Sequence, residues 1–241
     1  TRCCKVTGVQ TCALPIWDGI VATFIKCFLK DDRYLLLLDG IGVTIKISLL
    51  AVLIGIAIGL VIAFCALSKK KVLNLIGKVY TDVIRGTPSV TQLMIIYFVV
   101  FATVDLEKWV IAAIAFGINS GAYVSEIIRA GILSIDKGQT EAGRSLGLNA
   151  MQTMVSIIIP QAVKNIFPAL CNEFIVLVKE TAIVGYIGLV DIQKAGDLIK
   201  SATFEAFMPL IATAIIYFVL IKTLTLALAR VEKALRKSDN R

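Results

Sequence analysis

The sequence contains no histidine. That removes imidazole as a general acid or base and removes the commonest metal ligand. Charge is scarce as well. Only 17% of the 241 residues are Asp, Glu, Lys or Arg, and the mean hydropathy is +0.86. A soluble domain carries about 25% charged residues, so this composition excludes an ordinary water-soluble fold. No GxxxxGK[ST] phosphate-binding loop occurs, so the chain is not itself a P-loop ATPase. Six cysteines are present, Cys3, Cys4, Cys12, Cys27, Cys65 and Cys171, and none forms a CxxC pair. Cys65 and Cys171 sit inside apolar runs and read as small hydrophobes, so no metal site is expected.

What the chain does have is long apolar runs, the signature of an all-α polytopic membrane protein. Five spans are expected: Ile41–Leu67, a short one over Val90–Val104, Val110–Val124, Val163–Val190 and Phe207–Ala229. The first is long enough to cross about 30 Å of hydrocarbon at about 1.5 Å per residue. Its Gly55 and Gly59 are spaced as GxxxG, which permits close helix contact. Residues 17–39 mix apolar and charged residues and are expected at an outer surface, where "IVATFIKCFLK" fits an amphipathic interfacial helix.

The net charge of +8 sets orientation rather than pointing to nucleic acid. Segment 68–89 holds five basic residues against Asp82 alone. Segment 129–164 holds Arg129, Lys137, Arg144 and Lys164 against Asp136 and Glu141, and the tail from Arg230 is basic too. The intervening segments 18–39, 105–108 and 191–205 are slightly acidic. Alternation of sign at every loop places the N-terminus outside and the C-terminus in the cytoplasm. The expected domains are a transmembrane unit over 40–230 and a basic cytoplasmic tail over 231–241. Residues 1–16 differ from the rest. "VTGVQTCALPI" looks like the conceptual translation of a sequencing-adapter oligonucleotide, so this segment is expected to be non-native.

The long polar interruption "EAGRSLGLNAMQTMVSIIIPQA", Glu141 to Ala162, falls on the cytoplasmic side. It reads as a short helix starting after Gly138, with Glu141 in its first turn. Gly147 ends or kinks that helix, and a second one follows, with Pro160 before the next span. A connector needs only a few residues, so a half-apolar loop of this length is expected to bury itself against a partner protein.

This stretch resembles the cytoplasmic EAA loop of ABC-importer permease subunits, whose pattern is E-A-A-x(3)-G-x(9)-I-x-L-P. Glu141, Ala142, Gly147, Ile157 and Pro160 fall on it, while Gly143 replaces the second alanine and Ile159 the leucine. Gly143 should loosen the helix by up to about 1 kcal/mol relative to alanine. "YTDVIRGTP", "NSGAYVSEIIRAGI", "KGQTEAGRSLGL" and "VKETAIVGYIGLVDI" are similar to the polar amino-acid uptake branch, although Thr181-Ala182-Ile183 stands where T-S-L is usual.

The resemblance implies a coupling helix around Glu141–Leu148. Glu141, Ala142, Gly143, Arg144, Gly147 and Leu148 would dock on a separate ABC ATP-binding subunit, which carries the ATP and Mg; no cofactor is expected on this chain. It further implies an extracytoplasmic amino-acid-binding protein and a second permease copy or related subunit, with this chain in the bacterial inner membrane.

Asn119, Ser120, Tyr123 and Glu126 recur at helical spacing in the third span, and Glu173, Lys179, Glu180 and Thr181 add polar groups in the fourth. Ionisable groups at membrane depth face a cavity or each other. Two readings follow: a pathway meeting the ammonium and carboxylate of an amino acid, or an internal Lys–Glu pairing that tightens the bundle. Two other function classes compete. An ion-coupled carrier or channel would show inverted repeats, and no convincing repeat is present. A membrane enzyme would need a catalytic constellation, and none is present.

Overall fold

A computed structural model describes residues 19–237, and the expected non-native segment 1–16 lies outside them. Among the described residues all regular structure is helical. After a short helical segment that includes a π turn at Ile25–Leu29, the helices are α1 (Tyr34–Leu67), α2 (Lys71–Arg85), α3 (Ser89–Val100), α4 (Lys108–Leu133), α5 (Lys137–Ser145), α6 (Ala150–Ile187), α7 (Ile192–Thr203) and α8 (Phe207–Lys237). Helix α6 has a π turn at Met154–Ile158 and tightens to 3-10 geometry over Thr181–Ile187.

Helix α4 is the centre of the bundle. Most of its apolar stretch is buried, whereas little of α8 is fully buried. The reason is small residues: Ala112, Ala113, Ala115, Gly117, Ser120, Gly121 and Ala122 are buried and let α1 lie close. The GxxxG pair works as expected. A Cβ on Gly55 would stand 3.0 Å from the Ser120 Cβ, and one on Gly59 would stand 2.5 Å from the Val124 Cγ1. The packing is parallel: Lys46 near the start of α1 lies 3.8 Å over the Trp109 ring at the start of α4, and Ala63 near the end of α1 clusters with Ile128 near the end of α4.

Two faces result. One carries the end of α1, the start of α2, the end of α4, α5 and the start of α6. These are the basic segments, so this face is cytoplasmic. The other carries the start of α1, α7 and the loop 101–107. There Cys27, Phe28 and Leu37 pack against Ala195 and Ile199, so the segment before α1 is fastened to α7. Asp191 is fully buried. Its carboxylate accepts from the N–H groups of Gln193 and Lys194 as the cap of α7 and from the Tyr217 hydroxyl at 2.9 Å.

Three expectations change. The first long helix starts at Tyr34 rather than Ile41, so part of the expected interfacial segment 17–39 belongs to it, while residues 19–29 before it are helical in their own right. The basic segment 68–89 is not a loop; most of it is α2. Its apolar residues Val72, Leu75, Ile76, Val79 and Val83 recur at helical spacing, and Gly77 packs against Ala66. Helices α2 and α3 meet at a bend of 102° and together have the length and apolar composition of one broken span. The break lies at Gly86-Thr87-Pro88, because proline disfavours helical geometry in the residue before it. Finally, no separate short helix precedes the fourth span. Helix α6 runs on from Ala150, and the π turn absorbs Pro160, which has no N–H to give.

Candidate functional site

The cytoplasmic element is built around α5. Its cap is Asp136, whose Oδ1 accepts from the Gly138 N–H at 2.6 Å. The helix thus starts one residue before Gly138, and Glu141 stands mid-helix rather than in the first turn. The C-terminus is a Schellman motif: the Gly147 N–H donates to the Arg144 carbonyl and the Leu148 N–H to the Gly143 carbonyl. Gly147 has φ +84, the left-handed geometry that a glycine adopts without strain. Helix α6 then restarts at Asn149 with a reciprocal capping box. Gln152 N–H donates to Asn149 Oδ1 and Asn149 N–H to Gln152 Oε1, each at 2.9 Å.

Gly143 is buried where α5 lies on α6. A Cβ there would stand 2.8 Å from Thr153 Cγ2 and 2.9 Å from Ile157 Cδ1. The expected loosening by glycine is therefore offset by a close approach that alanine would obstruct. Glu141, Ala142, Arg144 and Gly147 are exposed, while Leu148 is half-buried. The most exposed large apolar residue of the element is Leu146, 81% exposed, which sequence reasoning passed over. Its signal was an apolar residue next to the glycine that must end the helix. The element as a whole is a rigid, capped projection with an apolar tip, suited to insertion into another protein.

Inside the bundle, three of the expected pathway residues come together. Ser120 donates to Glu173 Oε1 at 2.8 Å, and Asn119, one residue away on α4, donates to Gln92 Oε1 at 2.9 Å. Gln92 was not foreseen. Its amide also donates to the carbonyls of Ile84 and Thr87 and to Thr87 Oγ1, so it ties the bend between α2 and α3 to α4. Tyr80 adds a bond at 2.6 Å to the Ile118 carbonyl.

The other candidates stand apart. Tyr123 is half-buried under the Arg85 guanidinium, 5.3 Å from the ring centre. Glu126 is held by two hydrogen bonds from Arg129, the shorter at 2.8 Å. Glu180 lies seven residues from Glu173, on the same face of α6. Lys179 is exposed and forms no ion pair with either glutamate within 4.0 Å among the described residues, so the internal Lys–Glu pairing is not formed. Thr181 is buried and donates to the Val178 carbonyl. Just beyond it, a cavity of about 490 Å³ opens between Tyr186, Gln193, Lys194 and Asp197 on the outer side.

The sequence pattern of the "Binding-protein-dependent transport system inner membrane component" family matches residues 55–237. The chain belongs to this family. It is a transport permease subunit and not an enzyme, and the ATPase is a separate subunit.

Among curated relatives, an arginine transport system permease protein of Bacillus subtilis is 42% identical over 205 residues, covering 84% of this chain and 94% of that protein. A putative glutamine transport system permease protein of Rickettsia bellii is 40% identical over 207 residues, covering 85% and 95%. Among solved structures, an amino acid ABC transporter with histidines is 44% identical with a TM-score of 0.79, covering 86% of this chain and 98% of that one. An inward-facing methionine ABC transporter shares the fold, with a TM-score of 0.71 at 19% identity. Family membership sets aside the ion-coupled carrier reading.

Proposed function

We propose that this permease carries amino acids inward across the bacterial inner membrane, as one of two membrane-spanning subunits in an ATP-driven importer. An extracytoplasmic amino-acid-binding protein delivers the substrate at the face that carries α7. Two ATP-binding subunits hold ATP and Mg on the cytoplasmic side, where α5 sits as a lever in a groove of one of them. Leu146 enters the groove, Glu141 and Arg144 meet charged partners at its rim, and Gly147 allows the close approach.

The observation that carries this reading is the build of α5. It is capped at both ends, locked to α6 through Gly143 and still exposes its tip. A flexible connector would need none of these features, and a lever needs all of them. Motion of α5 passes into α6, the helix that carries Glu173 and Glu180.

Within the bundle, Glu173 is the group suited to a substrate ammonium. Asn119 and Ser120 hold it and its surroundings in place, and Tyr123, Glu126, Lys179, Glu180 and Thr181 extend the polar route. Names of relatives include both glutamine and arginine, so the substrate is one of the polar amino acids. The test is uptake of labelled amino acids into proteoliposomes that hold this chain, its ATP-binding subunit and its binding protein. Uptake that requires ATP and the binding protein supports the reading. Uptake by this chain alone overturns it.

A further inference from the structure

An apolar groove of about 550 Å³ opens on the side of the bundle between α1, the last turns of α4 and the start of α6. Leu60, Phe64, Ile132, Met151, Met154 and Val163 are among its walls. Phe64 and Met151 remain 64% and 72% exposed, so this chain does not fill it. On α1 the lining runs from Ile56 to Ser68. That is roughly 18 Å at about 1.5 Å per residue, close to one leaflet of a core about 30 Å thick. The groove ends at the cytoplasmic face.

At that end the character changes abruptly. Ser68 lines the mouth, and Lys69, Lys70 and Lys71 follow it, all exposed. The turn is fixed in place. The Lys70 N–H donates to Ser68 Oγ at 3.2 Å, and the Asn74 side chain donates to the Ala66 carbonyl. The lining contains no acidic residue. An apolar channel one leaflet long, with three exposed lysines directly after the serine at its mouth, is complementary to one class of molecule.

We propose that the groove binds an anionic phospholipid of the cytoplasmic leaflet, with one acyl chain along α1 and its phosphate at Ser68–Lys71. Its far wall includes the π turn of α6, one residue beyond Thr153, which holds Gly143 of the lever. A seated lipid thus braces the point where α5 meets α6.

The test uses the full chain in nanodiscs of phosphatidylcholine containing a minor fraction of phosphatidylglycerol. Lipid retained after extraction is read by native mass spectrometry. Retained phosphatidylglycerol is expected to be enriched on the order of tenfold or more over its bulk fraction. A Lys69→Gln, Lys70→Gln, Lys71→Gln variant should retain lipid without that preference, and Leu60→Trp, which fills the groove, should retain neither lipid. Equal retention of the two lipids by the unaltered chain overturns the proposal, and this comparison needs no variant to fold. Preference surviving in Leu60→Trp would mean headgroup adsorption alone and overturns it as well. So would effective competition by soluble glycerol phosphate. An absence of lipid together with cross-linking of a Leu60→Cys variant between copies would assign the groove to a second chain instead.

Discussion

Gly143 of α5 lies so close to Thr153 of α6 that a Cβ at position 143 would stand 2.8 Å from the threonine methyl. Thr153 is β-branched and stiff, so it has little room to yield. Alanine at 143 gains about 1 kcal/mol of helix propensity but meets an overpacking cost of about 1–3 kcal/mol. Gly143→Ala is expected to lower the thermal midpoint and weaken substrate stimulation of ATP hydrolysis. The double variant with Thr153→Ala should recover about 1 kcal/mol relative to the sum of the single changes. Thermal unfolding of the four proteins checks this, and strict additivity contradicts it.

Gln92 fixes the bend in the second span. Gln92→Leu leaves the Asn119 amide and the Ile84 carbonyl without their partner, a loss of about 1–3 kcal/mol. The two halves of the span should then move independently. The expected result is a lower thermal midpoint together with ATP hydrolysis that no longer responds to substrate. A variant that keeps full stimulation shows that the bend does not depend on this network.

Burial holds the Asp191 carboxyl above its usual range, against the hydrogen bonds donated by the Lys194 and Gln193 N–H groups and by Tyr217. The sign follows directly. A raised folded-state pKa means that the protonated form favours the folded chain. That stabilisation is complete below the unfolded value of about 3.9 and is lost as pH rises through the folded value. Asp191→Asn stays neutral and still caps α7. Its stability relative to the unaltered chain is therefore expected to improve as pH rises from about 4 toward neutrality. Thermal midpoints of both proteins across that range provide the measurement. A pH-independent difference contradicts it.

Glu173 is expected to act on substrate charge. Glu173→Gln keeps the acceptor for Ser120 and removes the negative charge. Uptake of a cationic amino acid should fall more than about tenfold, while a neutral one falls less. Undiminished uptake of both assigns Glu173 a packing role.

The membrane helices were legible because each carries a long, mainly apolar run, even where Lys46, Asn119, Glu173 or Lys222 interrupts it. Helix α2 was not, since five basic residues in segment 68–89 drew attention to orientation and away from the helical spacing of Val72, Ile76, Val79 and Val83. The restart of α6 was legible in principle: Asn149 followed three residues later by Gln152 is a capping-box pattern. Gln92 carried a signal too, as an amide within an otherwise apolar run. Gly143 was the harder case. Local propensity marks glycine as a defect, and only the packing of α5 on α6 shows why alanine does not fit. Among the polar candidates, helical spacing found Asn119 and Ser120, but which of them meets Glu173 depends on the relative rotation of α4 and α6.

The central claim is that α5 is a lever docked in an ATP-binding subunit. The most direct measurement is co-purification of the chain from Trp17 with the ATP-binding subunit encoded beside it, compared for Leu146→Glu and two variants at Gly147. A stable complex is expected for the unaltered chain and for Gly147→Asn, since asparagine tolerates the left-handed geometry. Leu146→Glu, which charges the apolar tip, and Gly147→Val, which cannot hold φ +84 without strain, should lose it. If all four chains bind equally, or none binds while the chain alone still transports substrate, α5 is not the coupling lever.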